Sequence, residues 1–297
     1  MKIPPPDGSR DPRIEDPTNL YFVHLAGRML LFPALRLGIS ANSVSLLGFA
    51  IGAGAAWAYL GWRSPLWASI GFLLTLLWLI ADGLDGMIAR ATGSASAVGR
   101  FLDGLCDHGV FLLVYVALSW SVGTPAAWLL GLAALVAHGV QSSLYEGERM
   151  RFHRRIAGEA RLSAGTPPTN PLVRIYDALA GSQDRAAAPF EHLLARSPDP
   201  LALGRAYGEF AARPLRFLSL LTSNRRIILI YVAAMLGDIS LFWWIELVAL
   251  TLVAAVGIVW HRRVEADLVA RFGSGQGAWT PARSPGMSGP SRRGDEA

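Results

Sequence analysis

Apolar residues along this chain are gathered into six long runs, and within each run they do not alternate with polar residues. A helix needs about 20 apolar residues to cross the roughly 30 Å hydrocarbon layer of a bilayer. Long runs without period-two alternation favour helices over strands. The pattern therefore predicts an all-α, polytopic membrane protein with six transmembrane helices, at residues 43–61, 66–90, 98–120, 126–145, 226–241 and 241–260.

An amphipathic stretch, Leu20 to Leu37, precedes the first run. It carries bulky apolar side chains such as Phe22 and Met29 together with Arg28. A helix with this distribution lies in the membrane interface, with its apolar face towards the acyl chains. We predict such an interfacial amphipathic helix in the N-terminal region, and a soluble N-terminal helix is the alternative.

Composition supports the membrane assignment. The 297 residues are 52% hydrophobic and only 16% charged, and the mean hydropathy is +0.36. A soluble domain usually carries about 25% charged residues. The single cysteine excludes an intramolecular disulfide and any zinc site built on several cysteines.

The positions of the basic residues predict the orientation. The net charge of +5 and the pI near 9.8 could suggest nucleic acid. However, Arg63 alone among the 27 basic residues falls on one side of the predicted membrane. Because loops rich in Lys and Arg stay in the cytoplasm, we predict that both termini are cytoplasmic, in a bacterial inner membrane. Attraction to anionic lipid headgroups then explains the excess of basic residues, and no nucleic-acid partner is expected.

The predicted spans divide the chain into an N-terminal region of residues 1–41, a six-helix domain of residues 42–262, and a C-terminal tail of residues 263–297. The domain includes a cytoplasmic insertion at 146–226, which is too long for a simple loop. We expect short surface helices there, for example at 171–180 and 187–196. From Ser274 the tail is rich in Gly, Ser, Pro and Arg, a composition typical of disorder.

Four aspartates lie where the second and third predicted spans meet a short link. Asp82 and Asp85 are three residues apart, and on a helix such a pair shares one face. Asp103 and Asp107 are four apart, and the same holds for them. The link at 91–98 predicts that the two helices are antiparallel neighbours. All four carboxylates should therefore face one space at the cytoplasmic end of the hairpin.

Unpaired carboxylates are unfavourable inside a membrane. One aspartate at mid-span costs on the order of 2.5–3.5 kcal/mol even on the lenient insertion scale. A bound divalent cation would offset this cost, and hard oxygen ligands select Mg²⁺ or Mn²⁺ over zinc. Two ions about 4 Å apart suit phosphoryl chemistry, because both neutralise the transferring phosphate. We therefore predict Mg²⁺ or Mn²⁺ as the cofactor, bound as two ions.

Two glycines and one arginine fit the same chemistry. Gly86 follows Asp85 directly, and Gly99 lies one turn before Asp103. A residue without a side chain lets a nucleotide or a neighbouring backbone come close. Arg90 lies outside the metal cluster, where its guanidinium could bind a diphosphate with two hydrogen bonds.

These residues form one pattern, Asp82-x2-Asp85-Gly86-x2-Ala89-Arg90-x8-Gly99-x3-Asp103-x3-Asp107. It resembles the signature of the CDP-alcohol phosphotransferase (CDP-alcohol phosphatidyltransferase) family of integral membrane enzymes, and all eight fixed positions match. A second element, Ala41-Asn42-Ser43-Val44-Ser45, resembles the family less closely, because Ala41 and Ser45 replace the more usual Pro and Thr. The resemblance covers roughly residues 20–262.

The resemblance implies a role for each matched residue. Asp82, Asp85 and Asp103 would bind metal, and Asp107 would bind the second metal and act as the general base. The nucleotide would be bound by Gly86, Ala89, Arg90, Gly99, Asn42 and Ser45. The family implies transfer of a substituted phosphate to an acceptor hydroxyl with release of CMP, in phospholipid biosynthesis, by a homodimer. CDP-diacylglycerol is the favoured donor, because six helices give a lipid lateral access to the site.

A dense group of arginines follows the fourth predicted span and opens the fifth. One interpretation is a solvated, membrane-anchoring surface. The other is a pocket for a polar acceptor that carries a phosphate, bound by Arg149, Arg154, Arg155, Arg225 and Arg226. The acceptor stays open among inositol phosphate, glycerol 3-phosphate, serine and a lipid alcohol.

Two alternatives remain at this point. A divalent-cation transporter or channel also contains intramembrane carboxylates, although it leaves Gly86, Ala89, Arg90 and Gly99 without a role. A soluble CDP-aminoalcohol with a lipid alcohol as acceptor would use the same site. Glu246, in the sixth predicted span, is expected near the external end in a structural or interfacial role.

Overall fold

The computed structural model describes residues 10–162 and 185–273, and within these ranges the chain is helical and contains no strand. A π-helical turn, Asn19–Val23, leads into the first α-helix, and a second one, Ile245–Leu250, joins the last two. The α-helices are α1 (His24–Arg36), α2 (Ala41–Tyr59), α3 (Pro65–Thr92), α4 (Ala97–Val122), α5 (Pro125–Ile156), α6 (185–196), α7 (Pro200–Leu218), α8 (Ser223–Met235), α9 (Ser240–Trp244) and α10 (Thr251–Gly273).

Local sequence sets the ends of the helices. Hydroxyl side chains accept a hydrogen bond from the first turn at Ser40, Ser96 and Thr124, which precede α2, α4 and α5. The helices α3 and α4 end at Gly93 and Gly123, whose φ angles of 64° and 75° suit a residue without a side chain. The short links between these helices make consecutive spans antiparallel.

Within residues 10–162 and 185–273, five helical segments are long and apolar enough to cross a membrane, which confirms the polytopic all-α prediction. The sixth crossing differs from expectation. At 13 residues, α8 spans only about 20 Å. It reaches membrane length when it is joined to the segment Pro200–Leu221 across a bend of 42°. If the two segments form one span, that span begins at residue 200, well before the expected start at residue 226.

The region expected as an insertion is largely continuous with the bundle. The fourth span does not end near residue 145, because α5 runs on to Ile156. Helical residues at 185–196 agree with the helix expected at 187–196, whereas 171–180 lies outside the described residues. The helix α7 was not expected, and it packs against α5 and α10. Its buried residues recur every four positions, which is the signal that could have revealed it: Leu203, Tyr207, Ala211 and Leu215.

The last helix extends beyond the predicted end of the six-helix domain. The tail was expected to begin at residue 263, but α10 continues without a break to Gly273. Residues 274–297, for which disorder was expected, lie outside the described residues. At the other end of the chain, α1 packs against α3 through Gly27, where an added Cβ would lie 3.1 Å from the Met87 side chain. Its opposite face exposes apolar residues such as Met29 and Phe32, as an interfacial helix requires.

The helix α2 is packed closely against both α3 and α4. The helices α3 and α4 were expected to be direct neighbours, but they meet mainly through side chains. The rings of Trp78 and Phe111, for example, lie edge to face with their centroids 5.2 Å apart. Small residues on α2 permit its close approach. A Cβ at Gly48 would lie 3.2 Å from Cβ of Ala81, and one at Gly52 would overlap the Val110 side chain. The narrow space left between α3 and α4 is where the acidic motif lies.

Gly52→Ala is expected to destabilise the fold by about 1–3 kcal/mol, the usual cost of overpacking. A Cβ there would lie 2.3 Å from Cγ2 of Val110, so α2 or α4 must move. Thermal unfolding of the detergent-solubilised protein measures the effect. Gly54→Ala on the same helix is the control, because its Cβ would meet Leu74 at an ordinary 3.7 Å. Equal unfolding temperatures for the two variants would contradict the close packing described above.

Candidate active site

The four aspartates of the motif lie together at one end of the bundle. Carboxylate oxygens of Asp82, Asp85 and Asp103 all lie within 4.8 Å of one another. Asp107 joins them, because its carboxyl lies within hydrogen-bonding distance of Asp82. The expectation that both pairs face one space is confirmed. That space is lined by residues of α2, α3 and α4: Ser45, Gly48, Trp78, Asp82, Asp85, Asp103, Cys106 and Asp107.

Ser45 is part of this cluster. Its hydroxyl donates a hydrogen bond of 2.5 Å to Oδ2 of Asp85, and both residues are buried. The bond holds one carboxylate in a fixed orientation towards Asp82 and Asp103. The family resemblance places Ser45 beside the nucleotide, and the contact with Asp85 is an additional one that the sequence did not reveal.

The other motif residues surround the cluster. The guanidinium of Arg90 folds back over Gly86, so that a Cβ at Gly86 would lie 3.1 Å from Nη1 of Arg90. At the start of α4, a Cβ at Gly99 would lie 3.4 Å from Oδ1 of Asn42. Ala89 is half-buried on α3. Larger residues at the two glycines would thus crowd the polar groups expected to bind the nucleotide.

The N-terminal residues 10–18, here called the strap, lie across this end of the bundle. Glu15 is almost fully buried and accepts hydrogen bonds from Arg10 at 3.3 Å and from Arg149 at 3.0 Å. Arg149 also binds Glu146, at 2.9 and 2.7 Å. Arg10, Glu146 and Arg149 are all close enough to Asp82 to act on its charge. The sequence did not predict the strap, which has no apolar periodicity.

The strap also reaches the start of α8. Asp16 is fully buried and accepts a hydrogen bond of 2.6 Å from Nε of Arg225. Beside it, Nδ2 of Asn224 donates to Oγ1 of Thr18 at 3.1 Å. Arg149 therefore lies near Asp82 of the cluster, and Arg225 is joined to the strap, but each is already paired with a carboxylate.

The other three arginines of the expected acceptor pocket lie elsewhere. Arg154 pairs with Glu191 at 2.7 Å. Arg155 is fully buried and binds Glu191 at 2.9 Å, together with Glu265 and the Tyr207 hydroxyl. Burial raises the pKa of Glu191, but the hydrogen bond from Arg154 and the charge of Arg155 outweigh it, so that pKa lies below its ordinary value. The structure does not bring Arg154 and Arg155 to the carboxylate cluster.

Arg226 forms a buried ion pair inside the bundle. Its Nε donates to both carboxylate oxygens of Glu246, at 3.0 and 3.2 Å, and its Nη2 donates to Gln141 at 2.8 Å. Arg226 and Glu246 are both fully inaccessible to solvent. Glu246, which was expected near the external end in a structural or interfacial role, thus forms a buried ion pair with Arg226. The pairing could not be predicted, since the sequence does not show which face of α8 meets the last span.

A second group, Glu148, His261 and Glu265, also brings possible ligand atoms within 4.8 Å. Its carboxylates are already bound, because Arg151 donates to Glu148 at 2.6 Å and Arg262 donates to Glu265 at 2.5 Å. His261 in turn contacts Glu148 at 2.7 Å. The group is an ion-pair network between α5 and α10, and its carboxylate oxygens are already engaged by these partners.

Comparison with known proteins identifies the part of the chain that carries the acidic motif. Residues 38–155, from the approach to α2 nearly to the end of α5, match the model of the CDP-alcohol phosphatidyltransferase family. Cholinephosphotransferase 1 of Bos taurus is 29% identical over 125 residues, which cover 39% of this chain and 29% of that protein. An uncharacterized protein of Aquifex aeolicus (strain VF5) is 32% identical over 106 residues, or 34% of this chain and 52% of that protein.

The chain thus spans about half or less of the length of these relatives. The family model, in contrast, covers all four aspartates and the helices that carry them. The complete eight-position motif, the convergence of its carboxylates and the apolar helices around them agree with that match. Residues 38–155 therefore carry a domain of the CDP-alcohol phosphatidyltransferase family.

Proposed function

We propose that this protein is an integral membrane enzyme that transfers a substituted phosphate from a CDP-alcohol to an acceptor hydroxyl and releases CMP. The observation that carries the proposal is the convergence of four carboxylates from α3 and α4 on one small space. The family match over 38–155 and the printed name of one relative, cholinephosphotransferase, support the same chemistry.

The donor set fits a hard divalent cation. Three carboxylates contribute oxygens within 4.8 Å of one another. The side chain that donates a hydrogen bond to Asp85 is the neutral hydroxyl of Ser45. Carboxylate oxygens are the ligands that Mg²⁺ and Mn²⁺ prefer. We therefore propose that Asp82, Asp85, Asp103 and Asp107 hold Mg²⁺ or Mn²⁺, as two ions. When bound, the ions would supply positive charge against the diphosphate of the donor.

In the proposed reaction, Asp107 takes the proton of the acceptor hydroxyl as general base. The acceptor oxygen forms a bond to the phosphorus nearer the alcohol of the donor, and the bond from that phosphorus to the CMP oxygen breaks. Arg90 binds the diphosphate, while Gly86 and Gly99 leave room for the cytidine together with Asn42 and Ala89. Positioning of the two reactants and neutralisation of charge would supply most of the rate enhancement.

CDP-diacylglycerol is the proposed donor. Its acyl chains can stay in the bilayer while the head group enters the water-facing end of the bundle, and the exposed apolar surfaces of α2 to α4 line that route. The relative named cholinephosphotransferase favours a second candidate, in which a CDP-aminoalcohol is the donor and a lipid alcohol is the acceptor. Location in a bacterial inner membrane, with both termini cytoplasmic, and a homodimeric state remain parts of the proposal.

A divalent-cation transporter is less well supported. A conduction path needs acids that are distributed across the bilayer. Among the described residues, the buried acids away from the cluster on the spanning helices are bound by arginines: Glu148, Glu246 and Glu265. Flux of Mg²⁺ into liposomes that contain the purified protein and no CDP-alcohol would favour transport over transfer.

The direct test uses purified protein in nanodiscs with CDP-diacylglycerol, Mg²⁺ or Mn²⁺, and a panel of acceptor alcohols. We expect release of CMP that depends on an acceptor and stops when the divalent cation is chelated. Absence of CMP release with every donor and acceptor, in protein that is folded by its thermal unfolding curve, would reject the enzyme assignment.

Ser45→Ala is expected to weaken divalent-cation binding by about 10–100-fold, the usual effect of losing a hydrogen bond to a metal ligand. The hydroxyl of Ser45 orients Asp85, and alanine would leave that carboxylate free to rotate. Titration with Mn²⁺ followed by electron paramagnetic resonance measures the binding itself. Ser45→Thr should keep the affinity, because it keeps the hydroxyl.

Ser69→Ala is the matched control for this experiment. Ser69 bonds the carbonyl of Pro65 at 2.8 Å, at the end of α3 that is remote from the cluster. Its replacement should leave Mn²⁺ binding unchanged. An unchanged affinity in Ser45→Ala as well would show that Asp85 does not depend on the serine.

A further inference from the structure

We infer that the acceptor is a small polar alcohol that carries no phosphate, bound by the strap, the water-facing part of α5 and the start of α8. The inference rests on the proposed function and names its acceptor class. These elements are called the acceptor wall, and its residues are the strap (10–18), Ser142, Tyr145, Glu146, Arg149, Thr222, Asn224 and Arg225.

The acceptor wall lies beside the catalytic carboxylates. The π-helical turn that follows the strap packs on α3, since a Cβ at Gly83 would lie 3.9 Å from Val23, and Gly83 is next to Asp82 in the chain. Arg149 on α5 lies near Asp82 and is tied to the strap through Glu15. An acceptor seated between the strap and α5 would therefore have its hydroxyl near Asp82 and its hydrogen-bonded neighbour Asp107.

The charges of the acceptor wall are balanced. Its arginines are Arg10, Arg13, Arg149 and Arg225, and its acids are Asp11, Glu15, Asp16 and Glu146. Each arginine makes an ion pair of 2.6 to 3.3 Å with one of these acids, and Glu15 and Asp16 are almost fully buried. A phosphate that replaced Glu15 or Asp16 in these ion pairs would leave a buried carboxylate without its partner. The wall therefore selects against a phosphorylated acceptor.

The wall also holds hydroxyl groups that have no hydrogen-bond partner among the described residues. They are the side-chain oxygens of Ser142, Tyr145 and Thr222, all of which are buried atoms. Tyr145 as a residue is 7% exposed. A buried hydroxyl without a partner is unfavourable, and a ligand that brings its own hydroxyl or amino groups would satisfy it. Each hydroxyl both donates and accepts a hydrogen bond, so a polyol or an amino alcohol is the matching ligand.

The three hydroxyls lie on neighbouring surfaces. Ser142 and Tyr145 are three residues apart on α5 and so share one face. Tyr145 and Leu221 belong to the same packed apolar cluster, and Thr222 is the next residue in the chain. The charged groups that act on Tyr145 include Glu15, Glu146, Arg149 and Arg10, which places the tyrosine within the same group of ion pairs. An acyl-bearing acceptor would leave these polar groups unsatisfied, so the wall disfavours a lipid alcohol.

The test compares acceptors in matched pairs, with the full chain in nanodiscs, CDP-diacylglycerol and Mn²⁺. The pairs are myo-inositol with inositol phosphate, and glycerol with glycerol 3-phosphate; serine and ethanolamine are added singly, and CDP-choline with diacylglycerol is a separate arm. With at least one phosphate-free polar alcohol as acceptor, we expect the rate of CMP release to be at least tenfold higher than with any phosphorylated acceptor. Faster release with a phosphorylated acceptor, or release only in the diacylglycerol arm, would overturn the inference and leave the proposed function intact.

Failure of the proposed function has a different signature. In that case no arm releases CMP, and CDP-diacylglycerol does not bind in a cation-dependent manner. The inference would then fall with the proposed function on which it rests. Binding of CDP-diacylglycerol, measured without any acceptor, separates the two failures because it does not involve the acceptor wall.

Tyr145→Phe tests the wall itself. We expect the KM of the best polar acceptor to rise about tenfold, with the KM of CDP-diacylglycerol unchanged. Because the hydroxyl of Tyr145 has no partner within the described protein, its removal should not lower the unfolding temperature. Tyr231→Phe is the control, since its hydroxyl lies near Ser69 at 3.3 Å, away from the wall. An unchanged acceptor KM in Tyr145→Phe would contradict the inference.

Discussion

Asp107→Asn is expected to lower the rate of CMP release by about 10²–10⁴-fold, the usual contribution of a general base. The Asp107 carboxyl lies within hydrogen-bonding distance of Asp82 and lines the same space as Asp85 and Asp103. Asparagine has nearly the same shape but cannot take the proton of an acceptor hydroxyl. It also removes one negative charge from the donor set of the proposed cations. The measurement is the initial rate of CMP release at saturating donor and acceptor.

The control for this variant is Asp267→Asn, which removes an exposed acid of α10. It should release CMP at the rate of the unchanged protein. Both variants should be folded to the same extent, so their thermal unfolding curves are recorded first. Full activity of Asp107→Asn at normal stability would remove Asp107 from the mechanism, and the same result for Asp103→Asn would question the whole cluster.

Arg155→Met is expected to lower the free energy of unfolding by about 3–5 kcal/mol, the cost of leaving a buried ion pair without one partner. Arg155 is fully buried and joins Glu191 of α6, Tyr207 of α7 and Glu265 of α10. Methionine is apolar and of similar length, so it fills the space but leaves both glutamates without this guanidinium. Thermal unfolding in detergent would show the loss as a lower midpoint temperature.

Arg205→Met is the matched control, because Arg205 is exposed on α7. Its replacement should change the midpoint little, as surface substitutions usually do. The sequence placed Arg155 in an acceptor pocket, and its contacts support a structural role instead. The folded fraction of Arg155→Met should therefore keep the acceptor KM of the unchanged protein. A raised acceptor KM with no loss of stability would restore the acceptor role.

Much of the fold and the core of the site could be predicted because their signals are local. Runs of apolar residues predict where helices cross a membrane, and the spacing from Asp82 to Asp85 and from Asp103 to Asp107 predicts which carboxylates share a helix face. A short link then brings the two pairs together without any information on distant contacts. These features needed only the geometry of a helix and of a hairpin.

Three features could not be predicted in this way: the strap, the bend between α7 and α8, and the pairing of Arg226 with Glu246. Each depends on contacts between residues that are far apart in the chain. Five arginines looked equivalent in the sequence, because charge density alone does not show which carboxylate each one meets. In the structure Arg149 and Arg225 meet the strap, whereas Arg155 and Arg226 lie buried in separate ion pairs.

The strap also has a consequence for how the protein is made. It is synthesised before the helices that hold it, because Arg149 follows Glu15 by 134 residues and Arg225 follows Asp16 by 209. While the hairpin that carries Asp82 and Asp107 enters the membrane, the strap has not yet met these partners. The ion pairs that hold the strap in place can therefore form completely only after α8 has been synthesised. A chain that stops before Arg225 would leave Asp16, which is buried in the finished protein, without its ion-pair partner.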